Sequence, residues 1–293
     1  MTSQPRLGHT SWSRPRRGLK LKPGRAVLYL ILGVWAVATT YPFVWLVMTS
    51  LKSTFELYSN PFGLPSELHF KNYVDAWVLA SMGRLSLNSF VVALASTVLG
   101  IFIASTCAFI LSRFEFRLKP VVWGYILFGF LMPDSVRLLP LAIFTRKVGV
   151  YDSLVGLTMI YATRGLPWNA FFLSSFMETI PRELEEAAVI DGASMWRVFR
   201  NVILPVSQPA LATMATFHVL YCWNEFMLAL LLTASEVTRT LPVGVHFLVG
   251  RFYTNEAAIS AALVIAAVPA VLFFLFLQRY VVKGMTAGSL TGT

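Results

Sequence analysis

Along this chain, apolar positions gather into long runs separated by short polar stretches. Six runs, at about 26–50, 86–111, 120–145, 153–176, 206–233 and 257–282, approach or exceed the roughly 20 residues that cross a bilayer's hydrocarbon core. The pattern predicts an all-α polytopic membrane protein with six transmembrane helices. The third run carries Asp134 and Arg137 between Pro133 and Pro140, and the two prolines are expected to break its hydrogen-bond ladder. The fourth holds Arg164 beside Gly165 and Pro167. Two intervals are sizeable, 51–85 and about 234–256.

Composition agrees with this picture. The 293 residues are 56% hydrophobic and only 13% charged, against roughly 25% charged in a typical soluble domain. The net charge of +10 would suggest nucleic acid in a soluble protein. Here the basic residues flank the runs, so they are read as topology signals and no nucleic-acid partner is expected. Cys107 and Cys222 both lie within apolar runs, as buried small residues do, and offer no disulfide framework.

Lys and Arg set the orientation. Fifteen of the 24 lie on one side, in the tail 1–25, after run two, between runs four and five, and at the C-terminal end with Arg279 and Lys283. Seven lie on the other side, and Arg137 and Arg164 lie within runs. The richer side is expected to be cytoplasmic, which puts both termini there. The predicted organisation is a basic, disordered cytoplasmic tail at 1–25, a first helix with an external loop at 26–85, a five-helix core at 86–282 and a C-terminal tail at 283–293.

No Gly-Lys dipeptide occurs, so the chain holds no Walker A loop, and no G-x-S-x-G elbow is present. The four histidines are scattered without ligand spacing. No catalytic residue, metal site or bound cofactor is expected. Asp134, Arg137, Arg164, His218, Asn224 and Glu225 lie in or near the hydrocarbon. Charge there is costly and points to a pathway or a buried pair. Asp134, Arg164, Asn224 and Glu225 are the candidate pathway residues, with local pairing of Asp134 with Arg137 as the alternative. Ala258, Ala262, Ala266 and Ala270 recur every fourth position, which suits close helix packing inside the bundle or between chains.

The densest acidic charge falls between runs four and five, where five of the 14 acidic residues occupy positions 178–191. Pro181 suits a first helical turn, and Glu183, Glu185 and Glu186 favour a helix start. The helix ELEEAAVI is expected to end at Asp191-Gly192, because glycine takes the left-handed cap at little steric cost. Ser194 then caps MWRVFRNVI, which places Trp196, Phe199 and Ile203 on one face and Arg197, Arg200 and Asn201 on the other, before Pro205 ends it. Such a helix–turn–helix suits docking into a partner's groove or lying on the membrane interface.

The stretch EEAAVIDGASMWRVFRNVILP, at 185–205, resembles the EAA-Gly cytoplasmic loop of ABC importer permeases. Glu186, Ala187, Ala188, Asp191, Gly192, Ala193, Phe199, Leu204 and Pro205 carry the resemblance. YPFVWLVMTSLK at 41–52, LNSFVVALASTVLG at 87–100, LLPLAIF at 138–144, WNEF at 223–226 and QRYVVKGMTAGSL at 278–290 are similar to the carbohydrate, maltose-permease-like branch.

That resemblance implies a type I ABC importer permease fold in a bacterial or archaeal plasma (inner) membrane. It implies a second permease subunit, as a heterodimer partner, two cytoplasmic ATPase subunits that use ATP-Mg, an external solute-binding protein, a carbohydrate substrate and surrounding lipid. The loop 178–205 would be the coupling element, and the chain itself would carry no ATPase site. A standalone secondary transporter or channel would explain the intramembrane charges but not this loop, and a membrane enzyme lacks a catalytic constellation.

Overall fold

The computed structural model describes residues 23–251 and 255–289, so the basic tail 1–22 and the last four residues lie outside the described part. Among the described residues the secondary structure is helical throughout. The chain divides into two units, Met1–Trp45 and Leu46–Thr293. The described part of the first is the N-terminal stretch of α1 (Pro23–Ser50), which continues through Pro42.

The second unit holds the remaining helices. On the side of the first long loop are α2 (Thr54–Ser59) and α3 (Lys71–Leu79), followed by α4 (Met82–Arg113). Next come α5 (Lys119–Leu131), α6 (Asp134–Val148), α7 (Leu154–Arg164) and α8 (Leu166–Glu178). The interval between runs four and five forms α9 (Glu183–Ile190), α10 (Met195–Val198), a π turn at Phe199–Ile203 and α11 (Leu204–Val206). Then follow α12 (Gln208–Asn224), α13 (Met227–Leu232), α14 (Leu241–Arg251) and α15 (Glu256–Ser289).

Among the described residues, three helices are long and apolar enough to cross a membrane, and up to five spans result if each of two bent pairs counts as one. The third run is one such pair. α5 and α6 meet at 104° across Met132 and Pro133. Pro133 lacks the N–H that a continuing helix needs there. Pro140 does not act as the sequence suggests, because α6 runs through it. The fourth run is divided at Gly165 into α7 and α8, each shorter than a span. The fifth ends as a continuous helix at Asn224, so the expected run to 233 is α12, a break and α13.

α4 is the central post, packing against α7, α8 and α12. One apolar cluster joins Ala108, Phe109 and Leu111 of α4 to Leu173 and Met177 of α8 and to Met214 of α12. A second gathers Val92, Leu157, Tyr161, Val219 and Leu228. A third holds Met82, Leu85, Trp223, Leu241 and Ala262. The alanine ladder of α15 turns inward within the chain, with Ala258 and Ala262 buried, and Ala266 and Ala270 packed against this third cluster. The indole N–H of Trp223 approaches the Ala266 carbonyl at 3.4 Å.

Polar ties secure the loops. Asn72 donates to the carbonyls of Ser50 and Lys52 at 2.9 and 2.8 Å. Asp152 accepts from the backbone of Ala234 and Ser235 and from the Thr238 hydroxyl, joining the α6–α7 turn to the α13–α14 loop. Burial pushes the Asp152 carboxyl up, but the hydrogen bonds from Thr238, Ser235 and Ala234 outweigh it and hold the group below its usual range.

Candidate functional site

Two regions hold the sequence-predicted residues, the 183–206 stretch and a charged cluster among α6, α7 and the α12–α13 break.

In the first region, α9 is the helix ELEEAAVI. Pro181 precedes it rather than joining its first turn, because Arg182 occupies the N-cap. Asp191 is the C-cap and Gly192 follows at φ +79°. The Gly192 N–H donates to Val189 O at 2.9 Å, and the Ala193 N–H to Ala188 O at 2.9 Å. These two bonds are the Schellman arrangement, which satisfies carbonyls that the helix end leaves open. A Cβ at Gly192 would meet nothing within 4 Å, so the left-handed φ, not crowding, is what calls for glycine.

The second half differs from the expected two-faced helix. Val198, Phe199 and Ile203 are buried, whereas Trp196 is 55% exposed. A π turn at Phe199–Ile203 inserts an extra residue and shifts the register, so the buried face is not the one that simple helical spacing gives. Phe199 packs on Phe109 of α4 at 5.1 Å between ring centroids, and Trp196 leans on Phe199 from outside at 5.4 Å. Pro205 does not terminate the helix. It lies within α11, and the chain turns by 76° after Val206, into α12.

One acid and one base pin this element down. Arg113, at the end of α4, pairs with Glu185 at 2.5 Å, with the two side chains 6% and 14% exposed. Arg113 also donates to Ile180 O at 3.0 Å. Sequence alone does not separate Glu185 from Glu186, and the separation is clear in three dimensions. Glu185 faces inward, while Glu186 and Ala187 are exposed, Ala188 is half-buried against the core, and Leu184, Val189, Ile190 and Met195 are exposed apolar neighbours.

In the second region, helix breaks converge on one ion-pair network. Asp134 opens α6 and accepts from Arg137 at 2.6 Å and from the Arg164 guanidinium at the end of α7. Arg137 also donates to Met132 O at 3.1 Å, covering a carbonyl beside the break. Arg164 lies 4.0 Å from Glu225 and over the Tyr221 ring at 4.7 Å. Glu225 accepts from the Tyr161 hydroxyl at 2.6 Å and from the N–H groups of Leu228 and Ala229 at 2.8 and 3.0 Å, where α13 starts. A carboxylate is favoured at that helix end.

Asp134, Arg164 and Glu225 therefore meet, and Asp134 pairs with Arg137 as well. Asn224 stays outside the network, donating instead to Leu220 O at 2.8 Å. Sequence reasoning missed Tyr161 and Asn169. Tyr161 stands one helical turn before Arg164, a spacing that offered a signal. Asn169 is 1% exposed, and its amide meets His218 Nδ1 at 3.2 Å. A Cβ at Gly165 would meet that His218 nitrogen at 2.4 Å, so only glycine lets the imidazole sit there.

A family model described as binding-protein-dependent transport system inner membrane component matches residues 19–287. A putative ABC transporter permease protein, ORF2 of Caldicellulosiruptor sp., is 36% identical over 93% of this chain and 99% of its own length. The diacetylchitobiose uptake system permease protein NgcG of Streptomyces coelicolor is 34% identical over 90% of this chain and 88% of its own. Among solved structures, a chain of a bacterial ABC transporter involved in the import of the acidic polysaccharide alginate superposes with a TM-score of 0.78. It covers 87% of this chain and 95% of its own at 22% identity, a likeness of fold.

Proposed function

The chain belongs to the family of binding-protein-dependent transport system inner membrane components, and from that premise we propose that it is the permease subunit of a sugar importer. It passes a sugar or oligosaccharide, delivered by an external binding protein, across the plasma membrane. ATP-Mg hydrolysis in two separate cytoplasmic ATPase subunits drives the step, and a second permease subunit completes the pathway. This chain contributes no ATPase site of its own. The carbohydrate class rests on the names of relatives such as the diacetylchitobiose permease and a trehalose permease of Mycobacterium tuberculosis.

The observation that carries the coupling role is the build of the 183–206 stretch. It is fixed to the core by Phe199, Ile203 and the Arg113–Glu185 pair, yet it presents Glu186, Ala187 and exposed apolar side chains outward. A rigid element with an open apolar and acidic face transmits a push from a docked partner, whereas a loose loop absorbs it. We assign the ATPase contact to Glu186 and Ala187. Ala188, Ala193, Phe199 and Pro205 shape the element, and Asp191 and Gly192 form its turn. On this reading the stretch, and both termini, lie on the cytoplasmic side of a six-span chain, the side richer in Lys and Arg. Asp134, Arg164 and Glu225 line or brace the pathway.

The test is Gly192→Val in the assembled importer. Membrane insertion survives, and sugar-stimulated ATPase activity and uptake are lost together. Normal uptake by that variant would overturn the coupling role.

A further inference from the structure

The short helix α3 is turned inside out. Helical spacing puts Phe70, Val74, Trp77 and Val78 on one face, and all four are between 51% and 65% exposed. The opposite face carries Asn72, Ala76 and Ala80, and these are buried. A helix on a water-facing surface points its apolar stripe at the core instead. Lys71 and Asp75, one helical turn apart, stand along one edge of the stripe and leave its middle free of charge. An exposed apolar patch of this kind marks a face that meets a membrane or another protein.

The depth of α3 is fixed by what its inner face holds. Asn72 donates to Ser50 O, and the Tyr73 hydroxyl meets the Ser50 hydroxyl at 2.7 Å, both at the end of α1. Ala76 and Ala80 pack with Met82 and Leu85, where α4 starts, and with Ala261 and Ala262, near the start of α15. α1, α4 and α15 are the three helices, among the described residues, that are long and apolar enough to cross a membrane. So α3 lies at the level where all three reach one face of the membrane. The other end of α4 carries Arg113 and its pair with Glu185, which puts α3 on the face opposite the 183–206 stretch. α4 also gives the direction of the stripe. The Trp77 ring lies 3.4 Å from where a Cβ on Gly83 would stand. Gly83 shares a face of α4 with Leu87, Phe90, Leu94 and Val98, all of them exposed. The other face of α4 looks into the bundle, where Val92 and Ala93 pack with Tyr161 and Ser96 meets Cys222. The α3 stripe thus continues an apolar face turned away from the charged cluster, and with it away from the side on which a pathway-sharing permease subunit would sit.

We propose that α3 is a membrane-interface anchor. Its Phe70–Val74–Trp77–Val78 stripe seats in the boundary between phospholipid headgroups and acyl chains, on the membrane face opposite the 183–206 stretch. Tryptophan is enriched at that level, where its ring meets the apolar layer and its N–H the polar one. A helix lying in the interface plane buries its apolar stripe there and keeps its charged edge among the headgroups, as Lys71 and Asp75 allow. Through Asn72, Tyr73 and Ala76 the anchor ties the ends of α1, α4 and α15 to the depth of the headgroup layer. The proposal goes beyond the importer function and depends on neither cargo nor ATPase.

The test uses the full chain, with the subunits that co-purify with it, in nanodiscs of phosphatidylcholine either plain or brominated on its acyl chains. Subtracting the emission of Trp77→Phe isolates the Trp77 ring. Bromolipid is expected to remove about half or more of that difference emission, as for an indole in an aromatic belt, and aqueous acrylamide little of it. Val74→Glu, at an exposed position, puts a carboxylate in the stripe and lifts it. Read against its own Trp77→Phe double variant, it should cut bromolipid quenching about twofold or more and raise acrylamide quenching. Asp75→Asn, on the edge, should change neither. Difference emission that bromolipid leaves untouched overturns the proposal. Quenching by acrylamide alone would mean that the stripe faces water, and quenching by neither that the second permease or the external binding protein covers it. Full bromolipid quenching in Val74→Glu overturns it as well. The readout is the same whether or not an ATPase accompanies the chain, so failure here leaves the importer function standing, and absence of an ATPase leaves the anchor standing.

Discussion

The 183–206 stretch and the Asp134–Arg164–Glu225 cluster are both dense in charge, but they use it in opposite ways. In the cluster almost every charged group has an internal partner, and Arg164 sits between two carboxylates from different elements. In the 183–206 stretch, one pair, Arg113–Glu185, is turned inward, while Glu186 beside it is exposed. At two of the helix breaks, Met132–Pro133 and Glu225, the cluster's own side chains satisfy backbone groups that the breaks leave open. The Gly192 turn satisfies its own backbone and leaves its side chains free for a partner. Charge placed inside a span holds broken helices together. Charge placed beyond the span's end is, on the proposed coupling role, what addresses another molecule.

Substitutions graded by expected loss of stability test that contrast. The largest loss is expected for Arg164→Met, which leaves Glu225 and Asp134 without their shared cation. Stripping one partner from a buried pair costs about 3–5 kcal/mol. Thermal unfolding in detergent reads it, and adding Glu225→Gln recovers part of the loss. No recovery would mean that Arg164 serves packing rather than charge balance.

Next is Glu185→Gln, which weakens the tie to Arg113 by about 2 kcal/mol. Hydrogen exchange in α9 should rise while exchange in α7 is unchanged. Gly192→Val costs about 1–3 kcal/mol, because a β-branched residue is forced to φ above zero. Gly192→Asn should cost less, since asparagine tolerates that region, and it should retain more ATPase coupling than the valine variant.

The smallest stability effect is expected for Glu186→Lys, within about 0.5 kcal/mol, as for most exposed substitutions. The same variant should lose ATPase subunits on co-purification. If stoichiometry were unchanged, the division between inward and outward charge in this stretch would be wrong.

Much of this was legible in the sequence. α9 lies where ELEEAAVI puts it, and the end at Asp191-Gly192 follows from glycine's freedom alone. The EAA pattern led to the family. What was not legible has identifiable physical causes. A π turn has no local sequence signature here, so the inward set became Val198, Phe199 and Ile203 rather than Trp196, Phe199 and Ile203. Hydrophobic runs report length but not angle: Pro133 marked a break within the third run, but not that α5 and α6 would meet there at 104°. Asp134 and Arg137 were readable as neighbours at i,i+3. The third member, Arg164, is 30 residues from Asp134, and only folding brings them together. Asn169 and Tyr161 were masked because isolated polar residues in greasy runs resemble ordinary core positions.

The 76° corner after Val206 has a mechanical consequence. From Met195 to Val206 the chain is an arm of about 18 Å, and α12 beyond the corner is one of about 25 Å, at 1.5 Å per residue. If the two move as a single bell crank pivoting near Ser207, a tilt of about 10° displaces the short end by about 3 Å and the far end, at Asn224, by about 4 Å. The far end carries His218, Tyr221 and the approach to Glu225. A modest push near Met195 would thus arrive at the far end of α12 undiminished and redirected sideways, at the place where the broken helices meet.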